Sequence, residues 1–322
     1  MNVIKYTLVI LLLLNLFACG KKNDEQIDVS KIEVVTALIR FDQRFYTAAP
    51  EDLGKLKAEF PYLFPEPNPD TVWTAKMKNE DELFLYTSVQ KTFGDFSDQR
   101  QSLTNLFKHV KYYYPKFKEP KVITILSNVD YDNKVVYADS LLFVSLDVYL
   151  GKDHEVYQDY PNYIKQNFNK EHLLVDVAAQ LSLPILRPSA TNSFISRIVQ
   201  EGKKLYLTAA FLPETPRVEI IGYNELQFQW AAISESDIWK YFIQNEMLYS
   251  NDPNLSERFI HDAPFSKFYL EVDKDSPGRI GAWFGWQIVN SFMKNNDITL
   301  QEMIVIDNEE IFSKSKYKPK KK

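Results

Sequence analysis

Three polar residues at helical spacing form the first candidate for chemistry in this sequence. His172, Asp176 and Gln180 follow one another at intervals of four within the segment 171–183, whose apolar residues recur at the period of an α-helix. On a helix their side chains lie along one ridge, and a histidine and a carboxylate at this spacing can bind the same metal ion. Zinc usually requires three good nitrogen, sulfur or carboxylate ligands, and a glutamine amide is a poor one. The polar face of an ordinary helix therefore explains the spacing better.

A second candidate is the single glutamate of the segment 198–206, which reads Ile-Val-Gln-Glu-Gly-Lys-Lys-Leu-Tyr. The apolar pattern places this segment in a helix. Glu201 would serve there as a metal ligand or as the partner of a buried cation. The alternative is an ordinary surface glutamate flanked by lysines.

A third candidate is the segment 276–289, which combines an arginine, Arg279, with two glycines four residues apart. Its first two residues are serine and proline, which are typical of the N-cap and first position of a helix, so we predict a helix start here. Because the residues that follow are apolar nearly all round, we expect this helix to be central to the core. Gly281 and Gly285 would let another element approach it closely.

The N-terminal residues carry the chemistry of lipid attachment. One lysine, Lys5, precedes an apolar run over 6–17, which is too short for an ordinary transmembrane helix and is typical of an export signal. The sequence Leu-Phe-Ala-Cys then ends at Cys19 and resembles the lipobox of bacterial lipoproteins, whose cysteine thiol receives a diacylglycerol group before the signal is removed. We therefore predict a signal peptide over 1–18, a lipid anchor on Cys19, and a polar tether over 19–28.

Composition limits the partners of the exported chain. It has one cysteine, so no intrachain disulfide can form and the fold must rely on its hydrophobic core. The formal net charge is −5, and six lysines lie within the last ten residues, so the rest of the chain is more acidic still. That balance argues against a nucleic-acid partner. We predict a solvated basic tail over 313–322; contact of its lysines with anionic lipid headgroups is the alternative.

The elements that must position these residues are mostly helices. Before residue 118, apolar periodicity and capping residues predict helices over Val29 to Phe45, from Pro50, over Asn79 to Phe93, and over Ser97 to Tyr114. Runs of β-branched and apolar residues then predict three strands, over 121–126, 135–138 and 141–146. With only nine glycines, the sequence holds no nucleotide-binding loop and no hydrolase elbow.

The predicted fold class is therefore α+β, predominantly α-helical with one small β-sheet. We predict a single globular domain over 29–312. It consists of a helical part over 29–118, the sheet over 119–150 and a second helical part over 151–312.

Several unusual motifs occur in a characteristic order along the chain: Leu-Asp-Val-Tyr-Leu-Gly over 146–151, Tyr157, Pro-Asn-Tyr over 161–163, Gly-Lys-Lys-Leu-Tyr over 202–206, and Pro-Gly-Arg-Ile-Gly over 277–281. In these motifs the whole mature chain resembles the gliding motility lipoprotein family GldB of Bacteroidota. The resemblance implies an envelope lipoprotein required for gliding that works alongside the motility and type IX secretion machinery. Its expected partners are proteins of that machinery and the lipid bilayer, which it meets through the lipid on Cys19. We favour the outer membrane, with the protein facing the periplasm.

More distantly, the order of motifs is similar to that of gluzincin-type zinc peptidases, which implies a degenerate zincin-like architecture. Those enzymes carry HExxH on a helix after a small sheet, and this sequence contains no HExxH. The similarity puts Asp176 and Gln180 where the zinc-binding histidines would be, and Val177 where the catalytic glutamate would be. Glu201 matches the third ligand. Without two imidazoles and a general base, zinc-dependent hydrolysis lacks both its metal and its proton acceptor, so we predict no metal cofactor and no catalytic residue.

The same similarity suggests a structural role for Glu201. A buried carboxylate that has lost its metal ion requires another cation. We predict that Arg279 fills this role and binds Glu201 through two parallel hydrogen bonds. Exposure of both side chains to solvent is the alternative.

Three functions follow from these residues. The leading hypothesis is a non-enzymatic binding or assembly component whose peptidase-like fold has lost its zinc ligands. The first alternative is a divergent metal-dependent peptidase that uses His172, Asp176 and Glu201. The second is a lipoprotein that binds a peptide or glycan in a groove lined by some of the aromatic residues, which make up 14% of the chain.

Overall fold

The computed structural model describes residues 27–320. The predicted signal peptide, Cys19 and the tether up to residue 26 lie outside the described residues, as do Lys321 and Lys322. In the described part, no helix is both long and apolar enough to cross a lipid bilayer.

The chain divides into two units, residues 1–31 and residues 32–322. The described end of the first unit is a short turn, in which the Asp28 carboxylate accepts a hydrogen bond from the backbone N–H of Ser30 at 2.9 Å. The strands and helices named below all belong to the second unit.

The second unit is predominantly helical, which confirms the predicted fold class. Its strands are β1 Leu38–Arg40, β2 Lys121–Ile125, β3 Val135–Ala138 and β4 Leu141–Ser145. Its helices are α1 Phe41–Tyr46, α2 Leu53–Glu59, α3 Asp70–Lys78, α4 Glu80–Phe93, α5 Ser97–Tyr113, α6 Asn162–Lys165, α7 Leu173–Ser182, α8 Phe194–Phe211, α9 Arg217–Ile221, α10 Glu225–Gln244, α11 Asn254–Phe259, α12 Ile280–Asn295, α13 Leu300–Val305 and α14 Asn308–Lys314.

The four strands form one mixed sheet in the order β1-β2-β4-β3. Strands β1, β2 and β4 run parallel, and β3 pairs antiparallel with β4 at the edge of the sheet. The three strands expected from the β-branched runs are therefore present. The antiparallel pair places the start of β3, and Lys134 just before it, beside helix α7.

The prediction of one helix from Val29 to Phe45 is wrong. Residues 38–40 form strand β1, and helix α1 begins only at Phe41. Strand β1 pairs in parallel with β2, where Ile39 lies opposite Ile123. A short apolar run fits a helix and a buried strand equally well, and here a partner more than eighty residues away decides between them.

Helices α8 and α12 cross with their backbones in direct contact. A Cβ atom added to Gly202 would lie 2.1 Å from the carbonyl oxygen of Gly285, and one added to Gly285 would lie 1.8 Å from the carbonyl oxygen of Ile198. A Cβ on Gly281 would lie 2.8 Å from the carbonyl oxygen of Phe259. Only glycine fits these positions without a shift of the backbone, so the crossing fixes the relative position of the two central helices.

Helix α12 does not begin where the sequence predicts. Ser276 and Pro277 precede a turn, and the helix starts at Ile280. Arg279 has a φ of 60°, in the left-handed region that a right-handed helix cannot include. The Ser276 hydroxyl does not cap helix α12; it lies 2.8 Å from the carbonyl oxygen of Asp273 and 3.1 Å from that of Ser266, either of which can accept its hydrogen bond.

Lys203, on helix α8, is only 2% exposed. Its ammonium group donates hydrogen bonds to the carbonyl oxygens of Ile306 at 2.6 Å and Ile304 at 3.3 Å. These carbonyl oxygens lie at the C-terminal end of helix α13, and the last carbonyl groups of a helix have no N–H partner within it. The lysine therefore joins the two helices through main-chain groups.

The predicted basic tail is partly folded against the rest of the unit. The hydroxyl of Tyr317 donates to the buried carboxylate of Glu235 at 2.8 Å, and the backbone N–H of Lys320 donates to the same oxygen at 3.2 Å. The ring of Tyr317 packs edge-on against Trp239, with a centroid distance of 5.2 Å. The folded body therefore extends beyond residue 312, the boundary expected from the sequence.

Candidate functional site

The polar residues that the sequence singles out line one cavity of about 570 Å³. His172, Asp176, Gln180, Glu201 and Arg279 all contribute to its wall. The cavity lies between helices α7 and α8, and residues 131–135, residues 163–168, the end of α9 and residues 260–262 also contribute to its wall. Residues far apart in the sequence thus meet around one space.

Asp176 is the most constrained acid of the cavity. One of its carboxylate oxygens accepts a hydrogen bond from the Tyr149 hydroxyl at 2.8 Å and lies 2.8 Å from the ammonium nitrogen of Lys134. Burial alone would raise the pKa of Asp176, but the charges of Lys134 and His172 and these hydrogen bonds outweigh it and lower the pKa below its usual value. Asp176 is therefore a carboxylate at neutral pH.

His172 lies between two carboxylates. Its Nδ1 atom is 2.7 Å from a carboxylate oxygen of Glu219, and its Nε2 atom is 3.8 Å from a carboxylate oxygen of Asp176. Because Glu219 belongs to helix α9, the imidazole links α9 to the start of α7. The His172 side chain is only 6% exposed, so the wall of the cavity is closed to solvent at this link.

Arg279 enters the cavity from the turn before helix α12. Its Nε atom lies 3.5 Å from a carboxylate oxygen of Asp262, and Nη1 donates a long hydrogen bond of 3.4 Å to the carbonyl oxygen of Ile221. Burial would lower the pKa of the guanidinium group, but nearby carboxylates, first Asp262 and then Glu201, raise it. Arg279 is thus a permanent cation whose contacts with Asp262 and Ile221 are long.

The predicted ion pair between Glu201 and Arg279 is not formed in the described part of the chain. The carboxylate within 4.0 Å of the arginine is that of Asp262, and Glu201 lies farther away. The left-handed turn at Arg279 directs the guanidinium group toward residues 260–262, a direction that the sequence pattern does not reveal. Glu201 and Arg279 nevertheless face the same cavity and attract one another through it.

Glu201, Lys204 and Gln180 carry polar groups that remain available to a ligand. All three are partly exposed and line the cavity, and their side chains form no hydrogen bond or ion pair with residues 27–320. Glu201 and Lys204 lie three residues apart on helix α8, so both point from one face of that helix.

Comparison with known proteins decides the family. The family model described as gliding motility protein GldB matches residues 22–319, which is nearly the whole chain. The chain belongs to the GldB family. It is accordingly a gliding motility lipoprotein. Neither the curated proteins nor the solved structures contain a significant match. The zincin-like architecture therefore stays a prediction.

One motif of this GldB-family chain, residues 146–151, positions a wall of the cavity. The carboxylate of Asp147 is wholly buried and accepts a hydrogen bond from the backbone N–H of Val129 at 2.8 Å. This bond holds the loop that leads to Lys134. Two residues further on, the same motif supplies Tyr149, which donates to the acid of helix α7. The motif therefore supplies one hydrogen-bond donor to that acid and holds the loop that leads to its counter-ion, Lys134.

The proposed peptidase ligands do not form a metal-binding group. Among residues 27–320, no three histidine, cysteine, aspartate or glutamate side chains are grouped so that they could hold a metal ion. His172, Asp176 and Glu201 share the cavity, but the first two are engaged with other side chains. No serine or cysteine from the described ranges lines the cavity, and the Thr208 hydroxyl donates to a backbone carbonyl.

Sequence reasoning missed the partners of the predicted site residues and one further charged residue of the wall, Lys204. Tyr149 and Lys204 carried a signal, since both lie within motifs of the family resemblance. The other missed residues, Lys134, Glu219 and Asp262, come from separate elements and show no local pattern.

Proposed function

We propose that this GldB-family lipoprotein acts in gliding by binding, without catalysis. In this proposal the lipid on Cys19 holds it to the periplasmic face of the outer membrane. There the cavity receives a segment of a protein that belongs to the motility and type IX secretion machinery.

The proposal rests on the lowered pKa of Asp176 and on the bonds that this side chain already makes. A general base works best when its pKa lies near the working pH. Asp176 has a lowered pKa and is already bonded to Lys134 and Tyr149, so it is a poor proton acceptor. Glu201, Lys204 and Gln180, whose side chains have no hydrogen-bond or ion-pair partner among residues 27–320, suit hydrogen bonding to a ligand.

Site-specific crosslinking in gliding cells tests the binding role. A photoreactive residue in place of Gln180 should give an adduct with a component of the motility machinery, identified by mass spectrometry. The same residue in place of Arg187, which is exposed and lies outside the cavity, serves as the control. Adding Ala179→Trp, which fills the cavity, should remove the adduct and stop gliding while lipidation continues. Unchanged gliding in a folded Ala179→Trp protein would refute the proposal.

A peptidase assay tests the rival function. The purified full-length lipoprotein, in detergent and supplied with zinc, should cleave no member of a peptide library. Chelator-sensitive cleavage that disappears in Glu201→Gln would instead support the divergent peptidase and remove the basis for a binding role.

A further inference from the structure

We infer that the cavity recognises the carboxyl-terminal residue of a protein or peptide chain, an inference that rests on the proposed binding function. Arg279 and Lys204 receive the terminal carboxylate, and Glu201 accepts the hydrogen bond of the last backbone N–H. The apolar part of the wall receives the last side chain.

Arg279 has N–H donors available for a ligand. A guanidinium group has five N–H donors, and among residues 27–320 this one has one hydrogen bond, through Nη1 at 3.4 Å, and one ion pair, through Nε at 3.5 Å. The paired carboxylate, Asp262, is 73% exposed, so solvent screens the pair strongly. Three donors, one on Nη1 and two on Nη2, therefore remain for a ligand, and a planar carboxylate matches two of them.

The backbone at this arginine is strained. A non-glycine residue at a φ of 60° is unfavourable, and such residues are frequent at ligand sites. The turn is held in place by Tyr223, whose buried hydroxyl donates to the carbonyl oxygen of Gly278 at 2.7 Å. The structure thus uses a strained turn to present a cation whose one ion pair among residues 27–320, with the exposed Asp262, is long.

Charges of both signs face one another across the cavity. Glu201 and Arg279 attract one another across more than 4.0 Å, which leaves a gap with an acceptor on one side and donors on the other. Lys204 lies on the same face of helix α8 as Glu201 and has no partner among residues 27–320. A ligand for this gap carries a negative group and, close to it, an N–H donor. The last residue of a peptide has both.

The acidic residues of the wall disfavour a phosphate or a nucleotide. Four acidic side chains line the cavity, and the three other than Asp176, which is paired with Lys134, would repel a dianion more strongly than a monocarboxylate. The same wall includes apolar side chains from several elements, which suit an aliphatic side chain better than a hydrophilic group. The acids are Asp132, Asp176, Glu201 and Asp262, and the apolar residues are Val175, Leu205, Ile221 and Ile260.

The test compares two tripeptides that differ at one group. Acetyl-Gly-Ala-Leu with a free carboxylate and the same peptide with a terminal amide are titrated into the full-length lipoprotein in detergent, by calorimetry. We expect the free acid to bind at least about tenfold more tightly, because the charged hydrogen bonds require the carboxylate. Arg279→Lys should weaken the binding of the free acid about tenfold, since lysine keeps the charge but loses the planar pair of donors. Arg187→Lys, outside the cavity, should change nothing.

A second variant keeps the test decisive if Arg279→Lys fails to fold. Lys204→Met alters a partly exposed helix position and should also weaken the free acid without affecting the amide. Any one of three results would overturn the inference: equal affinity for the acid and the amide, no binding of either, or binding of a neutral oligosaccharide in place of the peptide. If the crosslinks from position 180 to a motility protein persist in that case, binding as a function survives. If they are absent too, both proposals fail.

Discussion

The contact between helices α8 and α12 makes Gly285→Ala a sharp test of the packing. The added Cβ would lie 1.8 Å from the carbonyl oxygen of Ile198 and 2.9 Å from the backbone nitrogen of Gly202. Carbon–oxygen contacts in proteins are normally about 3.3 Å or longer. The two helices must therefore move apart by more than about 1 Å, because backbone atoms cannot rotate away as side chains do.

The magnitude follows from two opposing effects. Overpacking typically costs about 1–3 kcal/mol, and a backbone clash at the centre of the core lies at the upper end. Alanine in place of glycine inside a helix returns up to about 1 kcal/mol. We therefore expect Gly285→Ala to lower the free energy of unfolding by about 2 kcal/mol, and Gly202→Ala to behave in the same way.

Urea unfolding of the full-length chain measures this effect, with Gly54→Ala as the matched control. Gly54 lies in helix α2 with nothing within 4 Å of its added Cβ, so alanine there should stabilise the chain by up to about 1 kcal/mol. The double variant Gly202→Ala with Gly285→Ala should cost less than the sum of the two, because one separation of the helices relieves both clashes. The reasoning would be refuted if the urea midpoints of Gly285→Ala and Gly202→Ala rose, as we expect that of Gly54→Ala to do.

Three further predictions concern the anchor, a buried lysine and the cavity. Cys19→Ser should move the protein from the membrane fraction to the soluble fraction, and sedimentation with membranes after a high-salt wash would show another anchor. Burial lowers the pKa of Lys203 from 10.5 to about 8, so between these pH values the unfolded state binds more protons. The free energy of unfolding should then rise by about 2–3 kcal/mol as the pH increases through this range, and Lys203→Met should lack the rise in pH-dependent urea titrations. A double-mutant cycle on Glu201 and Arg279 should give a coupling energy below about 1 kcal/mol, since their distance exceeds that of an ion pair; a coupling of 3 kcal/mol or more would restore the buried pair.

Local signals in the sequence predict the elements that depend on local interactions. Asn79 caps helix α4 through a hydrogen bond from the backbone N–H of Glu82 at 3.0 Å, and the acidic residues that follow favour the helix start. The β-branched runs are also local signals, and they predict strands β2 to β4. Strand β1 and the left-handed Arg279 were not predictable in this way, because a distant strand and a turn held by Tyr223 determine them.

The candidate site, too, was predictable from local signals only in part. Helical spacing places His172, Asp176 and Gln180 on one ridge, and the family resemblance draws Glu201 and Arg279 into the same region. The contacts that set the charge of the site come from elsewhere in the chain. The acid of α7, for example, is neutralised from the loop before β3, more than forty residues earlier. Pairings of this kind depend on how helices pack, and no periodicity encodes them.

The docking of Tyr317 on helix α10 has a practical consequence for altering the carboxyl terminus. The buried Glu235 receives its hydrogen bonds from Tyr317 and from the backbone of Lys320. Removal of the residues after 314 would leave that carboxylate without these donors and uncover one face of Trp239. An affinity tag attached after the final lysine preserves both contacts, whereas a chain shortened to the end of α14 would expose new apolar surface and invite aggregation.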